Sequence, residues 1–240
     1  MSNPTAAMLV IGDEILSGRT RDANMHYLAG QLADQGINFC EVRVVRDDSD
    51  AIISAVKSLS TSYDNVFTSG GIGPTHDDIT ADCIATAFGV KINVRDDARE
   101  LLAKHYADTG RELNEARLRM ARIPDSAKLI DNPVSVAPGF TLGNVHVMAG
   151  VPSVFKAMVA TVLPTLTGGA PLLSVTLRIE LGEGDIAKPL GILASSFSNL
   201  SFGSYPFQQD GRQGSNVVIR GTDSMEINAA YSALEALFPT

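Results

Sequence analysis

The segment 69–80, SGGIGPTHDDIT, brings together glycines, a proline and two adjacent carboxylates between a strand-like and a helix-like run. Gly70, Gly71 and Gly73 allow the backbone to turn sharply and to approach a ligand that a Cβ would hinder. Pro74 fixes φ and restricts the loop before a ligand arrives. Because such a loop leads to free N–H groups at a helix N-terminus, the segment predicts a preformed binding site for a phosphate.

The polar side chains of this segment also point to phosphate chemistry. Ser69 and Thr75 add hydroxyl donors for an anion. Asp77 and Asp78 would repel that anion unless a divalent cation compensates, and Mg²⁺-like ions are held by one or two carboxylates together with phosphate oxygens. His76 offers a further ligand or proton carrier. The alternative is that the aspartates only cap the following helix, where carboxylates favour the helix dipole.

The segment does not match the common nucleotide-binding motifs. Its spacing is not GxxxxGK[ST], and no lysine is present in it. It is not GxGxxG either, because His76 stands where the last glycine would be. A standard nucleoside triphosphatase or dinucleotide-binding fold is therefore disfavoured.

A second acidic, glycine-containing loop follows the first predicted strand. It contains Gly12, Asp13, Glu14 and Gly18, and Asn24 begins the helix after it. Its simplest interpretation is an ordinary strand-to-helix turn. Because strands one and three of an open parallel sheet are often neighbours, however, this loop and the glycine segment can meet in one crevice.

Two later segments have the composition of rigid turns. The first, NPVSVAPGF, contains Asn132, Pro138 and Gly139, and the second, AGVP, contains Gly150 and Pro152. Simple turns around a strand would explain both. The second also precedes a predicted helix and so offers another helix N-terminus to an anion.

The elements that position these loops alternate between strand and helix. Strands are predicted at 6–11, 39–45, 66–68 and 145–148, and helices from 22, 49, 79, 96, 112 and 153. This order is typical of a parallel sheet with right-handed crossovers. The composition changes at 164–171, after which a small βαββα unit is predicted, so we expect domains at 1–167 and 168–240.

Bulk composition restricts the partners. With 240 residues and a formal net charge of −8, the chain lacks the clustered basic residues of a nucleic-acid-binding protein. Its two cysteines, Cys40 and Cys83, make a disulfide framework unexpected and favour a reducing compartment. The N-terminus has no basic region of a signal peptide, and no apolar run approaches a membrane span. We therefore expect a cytoplasmic protein without nucleic-acid or membrane partners.

Four motifs in order, GDEIL, GGIGPTHDDIT, NPVSVAPGF and AGVP, resemble the molybdopterin-binding domain family. Within it, the likeness is strongest to the amino-terminal part of competence/damage-inducible protein A and to the related domain of eukaryotic FAD synthases. It covers residues 6 to about 165. The segments 182–187 and 203–206 are similar to the small module that follows this domain in the FAD synthase branch.

The resemblance implies a three-layer α/β/α fold with a mostly parallel sheet, as in the MogA and MoaB proteins, with a small α+β C-terminal subdomain, in a homo-oligomer. It implies a nucleotide or pterin ligand and hydrolysis of ADP-ribose or FAD to mononucleotides with Mg²⁺, Mn²⁺ or Co²⁺ as cofactor. Asp13, Asp77 and Asp78 carry over as catalytic and metal-binding residues. The ligand-binding residues that carry over are Gly12, Glu14, Gly18, Asn24, Ser69, Gly70, Gly71, Gly73, Pro74, Thr75, Asn132, Pro138, Gly139, Gly150 and Pro152.

The chain departs from the family pattern in two respects. Val154 stands where competence proteins usually have a glutamate, which removes an acidic group. No amidohydrolase domain or FAD-forming domain fits in the remaining residues, so we expect neither activity. Two alternatives to hydrolysis stay open, namely molybdopterin binding and adenylylation in cofactor biosynthesis, and a non-catalytic nucleotide-binding module.

Overall fold

The computed structural model describes residues 3–209 and 211–239. The chain divides into two compact units at the Gly169–Ala170 bond. Among the described residues, no helix has the length and apolar character needed to cross a lipid bilayer.

The first unit contains a six-stranded sheet in the order β2-β1-β3-β8-β7-β6. The eight strands of this unit are β1 (Thr5–Ile11), β2 (Asn38–Val45), β3 (Asn65–Ser69), β4 (Ile92–Val94), β5 (Arg122–Pro124), β6 (Lys128–Ile130), β7 (Gly139–Leu142) and β8 (Val145–Met148) among the described residues. The strands β2, β1, β3 and β8 run parallel, whereas β7 is antiparallel to both neighbours. The strands β4 and β5 pair separately. The sequence did not predict β4 to β7, because strands of three or four residues carry too little periodicity.

Helices cover both faces of this sheet. They are α1 (Asp13–Leu16), α2 (Asn24–Asp34), α3 (Ser49–Ser62), α4 (Thr80–Phe88), α5 (Asp96–Asp108), α6 (Glu115–Leu118) and α7 (Pro152–Val162). Alternate residues of β1 enter different cores: Leu9 packs with α3, α4 and α5, whereas Met8 packs with α2 and α7. A strand covered on both faces must be apolar throughout, as β1 is. The predicted three-layer α/β/α fold with a mostly parallel sheet is confirmed.

The second unit contains β9 (Leu173–Ile179), α8 (Glu183–Ser195), β10 (Ser201–Gln209), β11 (Arg212–Gly221) and α9 (Ser224–Leu237). Its strands form an antiparallel sheet in the order β10-β11-β9, and its own core includes Ile186, Val217 and Leu234. The predicted small α+β subdomain is confirmed. The sequence predicts the second strand of this unit at 201–205, and the structure extends it through Pro206 to Gln209. That proline is tolerated because β10 lies at the sheet edge, where a missing N–H need not break a ladder bond.

The polar helix predicted from Glu112 to Ala121 is wrong in extent. The structure has only the short helix α6, and a 3-10 turn at Arg119–Ala121 follows it. Asn114 caps α6 by accepting a hydrogen bond from the N–H of Arg117, so the helix cannot include the residues before it. The 3-10 turn places Arg119 and Met120 beside the loop that follows β3.

A buried histidine lies in the centre of the sheet. His146 of β8 is 4% exposed, and its ring contacts Phe67 with 5.0 Å between ring centroids. Its Nδ1 is 3.0 Å from the Thr141 hydroxyl oxygen, and its Nε2 is 3.4 Å from Oδ1 of Asn65. Burial lowers the pKa of His146 from 6.5 to about 4, because the imidazolium form would lose its hydration.

This histidine predicts a specific acid sensitivity. Between pH 6.5 and 4 the unfolded chain protonates position 146 while the folded chain does not, so the free energy of unfolding falls as the pH falls. In denaturant titrations, the difference in unfolding free energy between wild type and His146→Gln should change by about 3 kcal/mol from pH 7 to pH 4. A His26→Gln variant, altered at an exposed position, is the control. Parallel pH profiles for wild type and His146→Gln would contradict the prediction.

Candidate ligand-binding site at the glycine loop

The loops after β1, β3 and β8 meet at one edge of the sheet. Because these three strands are parallel neighbours, their carboxyl ends lie side by side, as the sequence predicted for the first and third strands. The loops surround a cavity of about 540 Å³. Its lining comprises Ile11, Gly12, Glu14, Thr20, Asp47, Gly70, Gly71, Ile72, Gly73, Pro74, Asp77, Asp78, Met120, Asn132, Ser135, Ala137, Ala149, Gly150, Val151, Pro152 and Val154.

The glycine loop, residues 70–79, begins where no side chain fits. Gly70 has φ 109°, and a Cβ there would lie 2.2 Å from the carbonyl oxygen of Ile11. Gly71 has φ 70°, and a Cβ there would lie 2.1 Å from Oγ1 of Thr80. Both residues must therefore be glycine, because a positive φ is unfavourable for other residues and because a Cβ would overlap neighbouring atoms.

Hydrogen bonds hold the loop from both ends. The N–H of Gly70 donates to the carbonyl oxygen of Met148 at 3.1 Å. Thr80 returns to the start of the loop, its N–H donating to the carbonyl oxygen of Gly71 at 3.0 Å and its hydroxyl to that of Gly70 at 3.0 Å. The loop is thus closed onto itself before α4 begins.

Between these attachments, consecutive backbone donors remain available. The N–H groups of Gly71, Ile72 and Gly73 donate no hydrogen bond among the described residues, and all three residues line the cavity. Successive free N–H groups in a turn form a concave site for an anion. The donors predicted from the next helix are replaced by these loop donors, because the first N–H of α4 is used to close the loop.

The two adjacent aspartates lie in the loop and not in a helix. Asp78 accepts the N–H of Thr75 at 2.8 Å and its hydroxyl at 2.6 Å, both at Oδ2. The N-cap position of α4 is Ile79, and no side chain makes a capping hydrogen bond there, so neither aspartate caps this helix. The interpretation of Asp77 and Asp78 as helix caps is therefore wrong.

The environments of these carboxylates differ. The Thr75 side chain, the backbone N–H of Asp77 and the neighbouring His76 lower the pKa of Asp77 below its usual value. The Thr75 hydroxyl donates to Oδ2 of Asp78 and also acts on the Asp77 carboxylate, whose side chain is 63% exposed. His76 is almost fully exposed, with Nδ1 3.8 Å from Oδ1 of Asp77. Asp77 is thus an ionised, accessible carboxylate at the edge of the cavity.

In the loop after β1, the two acidic residues point to different neighbours. Glu14 lines the cavity, and its carboxylate folds back over Gly12. Asp13 instead pairs with Arg46 at 3.1 Å, and its N–H donates to Asp47 at 3.0 Å. Of these two residues, only Glu14 lines the cavity.

A buried amide ties the three loops together. Asn24, which is 3% exposed, donates from Nδ2 to the hydroxyl oxygen of Ser69 and to the carbonyl oxygen of Gly150, both at 2.8 Å. A Cβ on Gly150 would lie 3.3 Å from Cα of Gly70, so these backbones are in close contact. Asn24 and Ser69 therefore lie beneath the cavity and fix its walls.

The turn before β7 forms another wall. Asn132 builds it, accepting the N–H groups of Val134 and Ser135 and donating to Ser135 and to the carbonyl oxygen of Ala137. Val136 in this turn has φ 66°, a conformation that costs a β-branched residue free energy. The Asn132 network holds this strained backbone beside the cavity.

The N-terminus of α7 faces the cavity from the side of β8. Pro152 is its first residue, where a missing N–H costs nothing, and Gly150 and Val151 lead into it. Val154 is 6% exposed and packs in the core, while one side of it lines the cavity. The helix therefore adds a partial positive charge beside an apolar surface.

The structure thus separates the predicted site residues into two groups. The lining contains Gly12, Glu14, Gly70, Gly71, Gly73, Pro74, Asp77, Asp78, Asn132, Gly150 and Pro152, whereas Asp13, Gly18, Asn24, Ser69, Thr75, Pro138 and Gly139 lie outside it. Sequence reasoning missed Asp47, although it follows β2, whose carboxyl end lies beside that of β1. It also missed Met120, because the segment containing it was expected to form a solvated helix.

The cavity offers carboxylates as ligands for a metal ion. Within residues 3–209 and 211–239, no group of three or more His, Cys, Asp or Glu side chains is arranged to hold a metal ion. Asp77 and Asp78 nevertheless fit a hard cation of the Mg²⁺ type, which takes one or two carboxylates and completes its shell with water and phosphate oxygens. Such an ion would therefore depend on the ligand for part of its coordination.

Comparison with known proteins identifies both units. The model of a family described as probable molybdopterin binding domain matches residues 7–168, and the model of the FAD synthase middle domain matches 171–240. A probable FAD synthase of Caenorhabditis elegans is 35% identical over 97% of this chain and 50% of its own length. A CinA-like protein of Citrifermentans bemidjiense is 35% identical over 83% of this chain and 48% of its own length.

The fold comparison agrees with the family models. The crystal structure of the protein CinA of Thermoplasma acidophilum, described as of unknown function, has a TM-score of 0.63 and 34% identity, covering 69% of this chain and 99% of its own. The chain spans about half the length of the two curated relatives. The resemblance read from the four motifs is confirmed.

The close packing at Gly70 gives a testable contrast with Gly18. Both have positive φ, but a Cβ on Gly18 meets nothing within 4 Å. Gly18→Ala should lower the free energy of unfolding by about 1 kcal/mol, which is the cost of the left-handed backbone alone. Gly70→Ala should lower it by more than about 3 kcal/mol, because the methyl group also overlaps the carbonyl of Ile11. Denaturant titration measures both values, and equal costs would show that space at Gly70 is not limiting.

Proposed function

The chain belongs to the probable molybdopterin-binding domain family, and from that premise we propose that it is a divalent-metal-dependent pyrophosphatase. Its substrate is an ADP-containing dinucleotide, ADP-ribose or FAD, and its products are mononucleotides. The cavity at the glycine loop is the active site. The second unit resembles the middle domain of FAD synthase, which supports a nucleotide and in particular a flavin dinucleotide as the substrate.

One observation carries the proposal. Gly71, Ile72 and Gly73, whose N–H groups donate no hydrogen bond among the described residues, line the same cavity as Asp77 and Asp78. Backbone donors suit the diphosphate oxygens, while carboxylates suit a cation between those oxygens and the protein. A neutral ligand would need neither three consecutive free N–H groups nor two adjacent carboxylates. At about 540 Å³, the cavity has a volume typical of small-molecule sites.

The residues of this chain bind and orient the substrate in four ways. The loop N–H groups bind one phosphoryl group, and the N-terminus of α7 favours the other. Ile72, Met120 and Val154 offer apolar surface to a base or a flavin ring. Asp77 and Asp78 would hold the cation and would accept hydrogen bonds from the attacking water. A cation bound there supplies positive charge to the phosphate oxygens and lowers the pKa of bound water.

The proposal predicts metal-dependent release of AMP. Purified protein incubated with ADP-ribose or FAD and Mg²⁺, Mn²⁺ or Co²⁺ should release AMP, and chelation should stop the reaction. The double variant Asp77→Asn, Asp78→Asn should be slower by at least about 100-fold, because it loses both metal-binding carboxylates. Asp34→Asn, which removes an exposed carboxylate at the end of α2, is the matched control. Failure of wild type to release AMP, or equal release by the double variant, would refute the proposal.

The first loop provides a second test. Glu14→Gln should slow hydrolysis by about tenfold, since it removes a carboxylate from the cavity lining. Asp13→Asn should have a smaller effect, because Asp13 is paired with Arg46 outside the lining. Steady-state hydrolysis rates of the two variants show which of the two carboxylates contributes to the reaction. If Asp13→Asn lowers the hydrolysis rate more than Glu14→Gln does, Asp13 is the catalytic carboxylate of this loop, as the family resemblance implies.

Molybdopterin binding is the second candidate function, and the name of the matching family model favours it. The same anion-binding loop would bind the pterin phosphate, and ATP would adenylylate it. Tight pterin binding with ATP-dependent adenylylation and no hydrolysis of ADP-ribose or FAD would support this alternative.

A further inference from the structure

The candidate site has an unusual charge balance for a site that binds an anion. Glu14, Asp47, Asp77 and Asp78 line the main cavity, and none of its lining residues is a lysine, arginine or histidine. Backbone donors supply only partial charges. A diphosphate brings further negative charge, so a complete cationic side chain near the glycine loop would strengthen binding considerably.

Arg119 lies against that loop, in a cavity that adjoins the main one. Its Nη2 donates to the backbone carbonyl oxygen of Asp78 at 3.2 Å. It lines a second, small cavity of about 10 Å³, just large enough for one water molecule. Gly71, Ile72 and Gly73 line both this small cavity and the main one. The guanidinium group of Arg119 therefore lies against the same loop that carries the free N–H groups.

The guanidinium group of Arg119 is incompletely satisfied. Its Nε is buried and has no hydrogen-bond partner, and Arg119 forms no ion pair with a carboxylate among the described residues. The neighbouring arginine in the small cavity, Arg122, is paired with Asp82. Arg46, near the first loop, is paired with Asp13. A half-buried guanidinium group without a carboxylate costs stability unless a ligand satisfies it.

We infer that Arg119 is a ligand-binding residue whose guanidinium group binds a phosphate of the substrate at the glycine loop. The bond to Asp78 holds one edge of the guanidinium group, which leaves Nη1, free of any hydrogen bond among the described residues, to donate to phosphate oxygens. Arginine suits this role because its planar fork stays charged and matches phosphate geometry, whereas lysine offers a single point charge. The inference deepens the proposed function, because it rests on that function for the nucleotide part of the ligand.

Calorimetric titration of the full chain tests this role with three probes: inorganic pyrophosphate, ADP-ribose and adenosine. For Arg119→Gln, the Kd values of pyrophosphate and ADP-ribose should rise by about 10- to 100-fold, as expected for loss of a charged hydrogen bond. The Kd of adenosine, which has no phosphate, should not change. Arg99→Gln is the matched control, since it removes an exposed arginine paired with Asp96 on α5 and should leave all three Kd values unchanged.

Arg119→Lys separates ligand binding from folding. It keeps the charge and the length of the side chain, so it should fold even if Arg119→Gln does not, and it should bind pyrophosphate with an affinity between wild type and Arg119→Gln. Equal pyrophosphate affinity of wild type and the position 119 variant that folds would overturn the inference. A parallel loss for adenosine would also overturn it, since that loss would indicate a damaged cavity. Absence of pyrophosphate binding to wild type would overturn it as well.

The experiment distinguishes this inference from the proposed function. If pyrophosphate binding depends on Arg119 but neither ADP-ribose nor FAD is hydrolysed, the proposed function fails and the anion-binding role stands. If both substrates are hydrolysed and Arg119→Gln leaves pyrophosphate affinity unchanged, the proposed function stands and the inference fails.

Discussion

The site depends on the close approach of three backbones at the end of β3. Gly70 lies so near the carbonyl of Ile11 on one side and Gly150 on the other that no side chain can be present. This contact is possible only because β1, β3 and β8 are parallel neighbours whose carboxyl ends share one edge of the sheet. The buried amide of Asn24 then joins the loops that follow β3 and β8.

This packing explains why the glycine loop can bind an anion without a helix N-terminus. Thr80, at the start of α4, uses its N–H and hydroxyl groups to close the loop, which leaves the N–H groups of Gly71, Ile72 and Gly73 without partners. In water those groups are solvated, so the cost of leaving them free is small. A ligand phosphate that replaces the water meets donors already in position, and little conformational entropy is lost on binding.

Charged side chains of both signs surround the glycine loop. Asp77 and Asp78 line the main cavity, and Arg119 contacts the same loop from the small adjoining cavity. A diphosphate with a cation would satisfy both sets of charges, because its oxygens suit the guanidinium and N–H donors while the cation suits the carboxylates. Without a ligand, the Nε of Arg119 remains buried and unpaired. The surrounding α/β core supplies the stability that such a local cost requires.

The sequence by itself determined the layered fold and much of the site, because apolar runs such as that of β1 and glycines such as Gly70 restrict what the backbone can do locally. The adjacency of β1 and β3 followed from a general rule for parallel sheets, which also predicted that the loops carrying Gly12 and Gly70 meet in one crevice. Tertiary structure alone decided which way each side chain points: Asp13 toward Arg46, Glu14 toward the cavity, and Asp78 toward Thr75. It also decided that Arg119 contacts the loop, since a contact between residues 41 positions apart in the chain leaves no local pattern. Such long-range contacts depend on how elements pack, which periodicity and spacing do not encode.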